Sequence, residues 1–483
     1  MSDDDFLDDD DDLTGFALNE ADEGPTDDEL AADAADVEFQ PAADAVYAEL
    51  LERMGEANIR PRLEPTRRAA ELLGDPQRSA PVVHITGTNG KTSTSRMIES
   101  LLRAAGLRPG LLTSPHLVRI NERILIDGRP ITNEALARNW EDIRPYLLMV
   151  DAELVANGDE PLTFFEALTV LAFACFADAP VDVMVLEVGM GGEWDSTNVA
   201  DGQVAVFTPI ALDHTQRLGN TVAEIARTKA GIIKPAALVV TAMQTLEVMD
   251  ELRGAAQQFE AEVAIELIDF AVESTTVAVG GQVVDLRGRA GRYPDVYLPL
   301  YGDHQAQNAA VAVAAVESFI GGGEHALAQS VVLEGLGSVT SPGRLQLIGI
   351  EPTVLVDAAH NPHGAAALRV ALSEYFDFDE WTVVIGVLAD KDARGILEEL
   401  APVAERFHFT QSTSERAIPY DQLAALGLQI THEDAVYQYE TLLQALTAAR
   451  DWANEKPKRG IVVTGSITLV GDAIQLAEAE GWK

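Results

Sequence analysis

Short apolar runs alternate with segments of helical periodicity along most of the chain after residue 80. Four of these runs predict buried strands, at residues 81–85, 181–186, 204–207 and 238–241. Helical spacing of apolar residues predicts helices at residues 93–105, 165–177 and 222–230. Strands that alternate with helices are typical of a parallel sheet covered on both faces.

Two later stretches depart from this pattern. Residues 263–301 carry β-branched residues, Gly280-Gly281 and period-two alternation, which predict a hairpin or a small antiparallel sheet. Ser341-Pro342-Gly343 then interrupts the pattern, and a second α/β series follows, with strands predicted at residues 353–356, 382–385, 406–409 and 460–463. We therefore predict a mostly parallel α/β domain at 43–340 and a smaller, Rossmann-like α/β domain at 341–483.

The N-terminal segment has a different composition. Residues 1–40 contain 17 Asp or Glu and no Lys or Arg, within a chain of net charge −44. Such a segment cannot bury enough apolar surface to offset its ordering entropy, so residues 1–42 are predicted to be an acidic disordered tail. Order is expected from Ala43, where Val46 and Leu50 recur at helical spacing. A salt-rich cytoplasm would explain the acid excess, a hypothesis that activity unchanged after removal of molar salt would contradict.

Composition and charge also limit the possible partners. The chain lacks the basic footprint that phosphate-backbone binding needs, so no nucleic-acid partner is expected. It has no run of about 18 uncharged apolar residues and no secretory signal pattern, so no membrane association is expected. Cys175, the only cysteine, lies in an apolar segment and excludes an internal disulfide. We expect a cytoplasmic monomer that acts on small molecules.

A phosphate-binding loop is predicted between the first strand and its helix. The loop comprises Thr86, Gly87, Thr88, Asn89, Gly90, Lys91 and Thr92. Backbone amides and the helix N-terminus attract phosphate, Lys91 adds a point charge, and Thr92 offers a hydroxyl to phosphate or Mg²⁺. The spacing departs from the general motif, since Ile85 stands where a glycine is usual. The strand–loop–helix context indicates nucleotide binding and makes the first domain a P-loop-type ATPase domain.

Four further polar clusters follow predicted strands. They begin at Thr113-Ser114, Glu187, Asp213-His214 and Asp357, and the last continues to Gly364. Ligands of open parallel sheets bind outside the carboxyl ends of strands, which is where these clusters fall. The sequence therefore predicts that they share one cleft.

Together these motifs resemble folylpolyglutamate synthase, often bifunctional with dihydrofolate synthase, in the Mur ligase superfamily. The resemblance extends from about residue 45 to the C-terminus. Its motifs occur in the family's order, at residues 73–77, 86–92, 114–117, 189–198, 212–219, 302–308 and 357–364. The sequence departs from the family's pattern at three positions. Ala358 replaces a glycine that is usual there, Thr92 replaces a glycine that is frequent after the lysine, and Trp194 stands where a smaller residue is expected.

The resemblance implies roles for individual residues. Ser114, Glu187 and His214 correspond to magnesium ligands, and two Mg²⁺ ions are expected beside the phosphates of ATP. Lys229 corresponds to a lysine that is carbamylated by carbon dioxide. Lys91, Lys229 and His360 are expected to serve catalysis, with His360 ordering the cleft. Asn308, Arg344 and Asp357 correspond to residues that hold ATP, and the pterin-side contacts correspond to Thr163, Phe164, Phe165, Glu166, Trp194, Asp195 and Ser196.

The implied reaction joins L-glutamate to folates and to dihydropteroate through an acyl phosphate made from ATP. Two alternatives remain open at this point. Another amide ligase of the superfamily, such as a cell-wall amino-acid ligase, would keep the mechanism and change the acceptor. A P-loop kinase or regulatory ATPase would need no glutamate. The absence of a Ser-His-Asp or Cys-His pattern fits a reaction that needs no side-chain nucleophile.

Overall fold

The structure is a computed structural model that describes residues 36–55 and 60–482, and it contains two α/β units in sequence. The strands of the first unit's main sheet are β1 (Val82–Thr86), β2 (Pro109–Leu112), β3 (Ile124–Ile126), β4 (Arg129–Pro130), β5 (Val183–Glu187), β6 (Gly202–Phe207), β7 (Leu238–Thr241) and β8 (Glu262–Ile265). Their spatial order is β4-β3-β2-β5-β1-β6-β7-β8. Strands β2, β5, β1, β6, β7 and β8 pair in parallel, whereas the β2–β3 and β3–β4 pairs at one edge are antiparallel. The predicted mostly parallel sheet is confirmed.

Helices cover both faces of this sheet. They are α1 (Gln40–Leu51), α2 (Glu64–Leu72), α3 (Lys91–Ala104), α4 (Asn133–Ala156), α5 (Phe164–Asp178), α6 (Thr215–Leu218), α7 (Val222–Ala230), α8 (Leu246–Gln258), α9 (Asp303–Gly321) and α10 (Gln329–Gly337). The side chains of β1 alternate between the faces, as a strand requires. Val83 and Ile85 join the core formed by α3, α9 and α10, whereas Val82 joins the core formed by α1, α4 and α5. The central strand β1 thus has no solvent-exposed face.

A small antiparallel sheet packs on the α9 side of the first unit. Its strands are β9 (Ala271–Ala278), β10 (Gly281–Arg287) and β11 (Arg292–Leu298). The small sheet predicted within 263–301 is therefore present but shorter. Residues 262–265 form β8, which pairs in parallel with β7, because Ala264 and Ile265 are buried at that edge.

The second unit is built on a six-stranded sheet. Its strands are β12 (Gln346–Gly349), β13 (Val354–Val356), β14 (Glu380–Ile385), β15 (Ala404–Phe409), β16 (Val436–Gln438) and β17 (Arg459–Thr464), in the order β12-β13-β17-β14-β15-β16. Only β12 pairs antiparallel. Its helices are α11 (Pro362–Glu374), α12 (Ala393–Leu400), α13 (Tyr420–Gly427), α14 (Leu442–Asn454) and α15 (Ile467–Ala479). The first three cover one face and the last two the other, as a Rossmann-like unit requires.

The ends of the described chain bear on two predictions. Residues 1–35 of the predicted acidic tail lie outside the described residues. Helix α1 begins at Gln40, three residues before the predicted start of order, with Pro41 in its first turn. Among the described residues, no helix is both long and apolar enough to cross a membrane.

Candidate active site

A cavity of about 550 Å³ lies between the two units, at the carboxyl ends of their parallel strands. Of the residues predicted to form the site, including the phosphate loop, all except Thr86 and Phe164 line this cavity. Phe164 is 3% exposed and packs in the α5 core, where the Arg123 guanidinium lies 5.1 Å from its ring centre. Neighbouring residues on a helix point in different directions, so Phe165 faces the cavity and Phe164 does not.

The phosphate loop leaves β1 through a glycine that tolerates no side chain. A Cβ at Gly87 would lie 1.8 Å from the Thr208 hydroxyl oxygen. The amide of Thr88 donates to the Pro209 carbonyl at 2.9 Å, so it does not face the cavity. The amides of the first turn of α3 have no partner within the helix, and that turn lines the cavity. The helix start, rather than the middle of the loop, therefore offers donors to an anion.

Two lysines converge on one carbonyl of this loop. The ammonium of Lys229 donates to the Gly87 oxygen at 2.6 Å, and that of Lys91 to the same oxygen at 3.2 Å. Burial lowers the pKa of both lysines, and the neighbouring Lys91 charge helps to bring the pKa of Lys229 well below its usual value. A polyanion bound here would favour the charged forms.

Glu187 connects the loop with the Ser114 segment. It ends β5, is 1% exposed, and accepts hydrogen bonds from the Thr92 hydroxyl at 2.8 Å and the Ser114 amide at 3.3 Å. Burial raises the pKa of its carboxyl group. Glu187 therefore lies between the hydroxyl of Thr92 and the predicted metal ligand Ser114. Burying a carboxylate costs free energy unless a partner compensates its charge.

Asp213 joins the two units across the cavity. The Lys391 ammonium of the second unit lies 3.0 Å from its carboxylate, and His360 Nε2 lies 3.9 Å away. Burial alone would raise the pKa of Asp213, but Lys391 and the nearby histidines hold it well below its usual range. Burial, followed by Lys391, lowers the pKa of His214 to about 3, so its imidazole is neutral and able to bind a metal.

Lys391 is a cavity residue that the sequence reasoning missed. The Asp390-Lys391-Asp392 segment follows β14 and therefore meets the same strand-end criterion as the predicted clusters. The chain contains only seven lysines, and three of them, Lys91, Lys229 and Lys391, line this cavity. That concentration is the signal that would have identified Lys391.

The phosphate loop also contacts the second unit directly. Asn361 Nδ2 donates to Asn89 Oδ1 at 3.0 Å, and Asn89 Nδ2 lies 2.8 Å from His363 Nδ1. Asn361 also caps α11, where its Oδ1 accepts from the Gly364 amide at 2.8 Å. The start of α11 is thereby fixed against the phosphate loop.

The residues predicted to hold the nucleotide lie on both sides of the loop. Asn308 Nδ2 donates to Gln305 Oε1 at 3.1 Å, and a Cβ at Gly90 would lie 2.6 Å from Asn308 Oδ1. Asp357 accepts from the Leu345 amide at 3.0 Å and the Ala359 amide at 2.9 Å. These bonds fold the segment that presents Arg344 to the cavity.

The residues predicted to contact the acceptor comprise aromatic rings and a capped helix start. Thr163 caps α5 in a reciprocal pair with Glu166, whose carboxylate also lies 2.9 Å from Arg62 Nε. Phe165, Trp194, Asp195 and Ser196 also line the cavity, and the last two are buried. Thr163 and Glu166 therefore reach the cavity while they hold the helix start, a structural role that the sequence reasoning did not assign.

Comparison with known proteins places this cavity in a family context. A family model of the Mur ligase middle domain matches residues 85–316, and one of the Mur ligase glutamate ligase domain matches residues 343–467. The chain is 43% identical to the dihydrofolate synthase/folylpolyglutamate synthase of Mycobacterium tuberculosis over 87% of this chain and 91% of that protein.

Solved structures are similar over nearly the whole chain. M. tuberculosis folylpolyglutamate synthase complexed with ADP aligns with a TM-score of 0.87 and 42% identity, over 91% of this chain and 99% of that one. Escherichia coli FolC in complex with DHPP and ADP aligns with a TM-score of 0.79 and 30% identity, over 90% of this chain and 98% of that one. The similarity therefore includes both units and the cavity between them.

Proposed function

The chain belongs to the dihydrofolate synthase/folylpolyglutamate synthase family of Mur ligases, and on this premise we propose that it uses ATP to join L-glutamate to folates and to dihydropteroate. One observation carries the proposal: a single cavity brings the phosphate loop and Glu187 of the first unit against Arg344 and Lys391 of the second. Cations on both walls of the cavity, with Lys91 on one and Arg344 and Lys391 on the other, suit a reaction between several anionic reactants.

The chemistry follows from the weakness of a carboxylate as an electrophile. ATP phosphorylates the acceptor carboxylate, and the amine of glutamate then attacks the acyl phosphate and releases inorganic phosphate. Both steps move negative charge near the γ-phosphate, where Lys91 and the start of α3 stabilise it. Arg344 and Lys391 approach from the second unit, and closure of the two units excludes water from the acyl phosphate.

Three donors that follow or end the strands β2, β5 and β6 fit a hard divalent cation. Glu187 supplies a buried carboxylate, Ser114 a hydroxyl and His214 a neutral imidazole, to which phosphate oxygens of the nucleotide would be added. Bound Mg²⁺ would supply charge neutralisation of the phosphates. Glu187→Gln keeps the shape of the side chain and removes its charge, so we expect it to abolish turnover without lowering the unfolding midpoint. Full turnover by this variant would remove Glu187 from the metal site.

Lys229 is proposed to react with carbon dioxide to give a carbamate. The reaction needs a neutral amine, and burial favours the neutral form of Lys229. Its ammonium form lies 2.6 Å from the Gly87 carbonyl, so a carboxylate-like group at this position would face the phosphate loop. Protein equilibrated with ¹³C-bicarbonate should show a carbamate resonance that is absent from Lys229→Arg. Identical spectra of the two proteins would overturn this assignment.

The acceptor acid is proposed to bind beside Phe165 and Trp194. A flat heterocycle stacks on aromatic rings, and both rings line the cavity. Trp194→Ala should therefore raise the KM for the acid more than the KM for ATP. A change confined to the KM for ATP would contradict the proposed orientation.

The decisive experiment measures phosphate release with ATP and Mg²⁺. Dihydropteroate and tetrahydrofolate are supplied separately, each with and without L-glutamate. We expect release only when an acid and glutamate are both present. No turnover with either acid would refute the folate assignment, and glutamate-independent phosphorylation of a stable acceptor would favour a kinase. Turnover with a cell-wall precursor acid and not with a pterin acid would favour another ligase of the superfamily.

We further propose that the enzyme acts as a monomer in the cytoplasm. One chain supplies both walls of the cavity, so no second copy is needed to complete it. ATP is available in the cytoplasm, and the free, buried Cys175 suits a reducing compartment. Light scattering during size-exclusion chromatography should give the mass of one chain, and a dimer mass would refute the monomer.

A further inference from the structure

The rings of Phe165 and Trp194, beside which the acceptor acid is proposed to bind, lie against a glycine-rich segment. We call this segment the acceptor loop (residues 189–192). A Cβ at Gly189 would lie 2.8 Å from Phe165 Cζ, and one at Gly191 would lie 3.1 Å from Trp194 Cζ2. The rings therefore rest directly on the backbone of the loop. The position of that backbone sets where both rings stand.

Two hydrogen bonds fix the acceptor loop from below. The Thr86 hydroxyl donates to the Gly191 carbonyl at 2.8 Å, and the Met190 amide donates to Asp195 Oδ2 at 3.0 Å. The other oxygen of Asp195 accepts from the amide of Thr197 at 3.0 Å and from its hydroxyl at 2.6 Å. Asp195 therefore orients the loop, and Thr197 orients Asp195.

His84 stands behind Thr197 at the centre of β1. It is fully buried, and its Nε2 lies 2.8 Å from the Thr197 hydroxyl oxygen. That hydroxyl has one proton, which it donates to Asp195, so His84 must donate its own Nε2–H to Thr197. The hydrogen bonds thus run in one direction, from His84 through Thr197 to Asp195. Burial, aided by the Lys234 charge, lowers the pKa of His84 to about 3, which keeps the imidazole neutral.

Packing alone does not account for a histidine at this position. His84 Nδ1 is buried and has no hydrogen-bond partner among the described residues. An unpaired buried polar atom destabilises a fold, so an aliphatic side chain would fill this space at lower cost. What an aliphatic side chain lacks is the Nε2–H donor that orients Thr197.

We infer that His84 is a positioning residue for the acceptor acid, acting through Thr197 and Asp195 on the acceptor loop. The inference rests on the proposed function, because it assumes that Phe165 and Trp194 bind the acid. His84 does not line the cavity, so it is not placed to touch a substrate bound there. Its effect should therefore appear in the KM for the acid and not in the KM for ATP.

Two matched pairs of variants test the inference. His84→Gln keeps an N–H donor near the position of Nε2, and His84→Leu removes it. Thr197→Ser keeps the hydroxyl, and Thr197→Val removes it at nearly constant volume. We expect His84→Leu and Thr197→Val to raise the KM for the acid about tenfold, which corresponds to about 1.4 kcal/mol. Their KM for ATP should change less than twofold, and His84→Gln and Thr197→Ser should retain most of the wild-type affinity for the acid.

A structural role would give a different result. If the KM values for the acid and ATP rise together, or if Gln and Ser rescue nothing, the positioning role is refuted. Thr197→Val keeps the test valid where His84→Leu does not fold.

Hydrogen exchange separates this inference from the proposed function. In the wild-type protein the Met190 amide should be protected by Asp195, and exchange across residues 188–192 should accelerate in His84→Leu and Thr197→Val. This measurement needs no substrate, so it stands even where the wild-type protein turns over neither acid. Unchanged exchange in both variants would overturn the inference and leave the proposed function intact.

Discussion

Gly90→Ala tests the link between the phosphate loop and the residues that flank it. Gly90 has a φ of +86°, and a Cβ there would lie 2.6 Å from Asn308 Oδ1. Gly106, just beyond the other end of α3, has a φ of +84° and open space where a Cβ would stand. Gly106→Ala is therefore a control with the same backbone strain and no clash.

The two substitutions should differ by the contact with Asn308 alone. A left-handed alanine costs about 1–2 kcal/mol at either position. At Gly90, Asn308 Oδ1 must also retreat by about 0.8 Å to reach ordinary contact distance. That movement turns the side-chain amide and weakens the 3.1 Å bond that Asn308 Nδ2 donates to Gln305 Oε1, a loss of about 1 kcal/mol. We therefore expect Gly90→Ala to lower the free energy of unfolding by about 2–3 kcal/mol and Gly106→Ala by about 1–2 kcal/mol.

The same displacement should weaken nucleotide binding. A loss of about 1 kcal/mol at Asn308 corresponds to about a fivefold increase in the KM for ATP, and Gly106→Ala should leave that KM unchanged. Urea unfolding gives the stabilities, and phosphate release at varied ATP gives the KM values. Equal effects of the two variants on stability and on KM would refute the assignment of Asn308 to the nucleotide side.

Three further predictions concern buried ionisable side chains. Lys391→Met leaves the Asp213 carboxylate without its 3.0 Å partner and should lower the free energy of unfolding by about 3–5 kcal/mol. In urea titrations, the double variant Asp213→Asn, Lys391→Met should recover part of this loss. No recovery would contradict a charge effect. His84 has a folded-state pKa of about 3. Between pH 6.5 and 3 its imidazole is therefore protonated in the unfolded chain and neutral in the folded chain, so the free energy of unfolding decreases as the pH is lowered. Relative to the wild type, the free energy of unfolding of His84→Gln should therefore rise by up to about 1.4 kcal/mol per pH unit when unfolding is measured at pH 6 and then at pH 5. A difference in stability that stays the same at both pH values would place the histidine in solvent. Burial raises the pKa of Cys175 to about 12, so the native thiol should not react with a disulfide reagent at pH 8 and should give one equivalent after unfolding; rapid native reaction would refute its burial.

The fold could be predicted wherever a strand is buried on both faces. Helix α7 and strand β7 begin and end at the predicted residues, and β1, β5 and β6 differ from their predictions by at most two residues at either end. Continuous apolar runs mark such strands because neither face meets water. Strands β3, β4, β12 and β16 have two to four residues each, too few for a pattern to emerge. The first unit's helices α2, α4, α8, α9 and α10 were not predicted either.

The site could be predicted to the extent that it follows strand ends. Ser114, Glu187 and His214 come after parallel strands, and all three line one cavity. Lys391 follows strand β14 and was missed although it meets this criterion; only its pairing with Asp213, 178 residues away in sequence, leaves no local pattern. Phe164 was assigned to the pocket because α5 is apolar on nearly every side, so its sequence does not indicate which ring faces the cavity.

The charge of the cavity explains why two units are needed. The chain has a net charge of −44, yet Lys91, Lys229, Arg344 and Lys391 line one cavity. Burial lowers the pKa of Lys91, the Glu187 and Asp213 carboxylates oppose this effect, and the nearby Lys391 and Arg344 charges add to it. A bound polyphosphate would reverse this effect, because an opposite charge favours the protonated amine. Nucleotide binding would thus relieve repulsion between cations of the two units, and the same event would favour their closure over the acceptor acid.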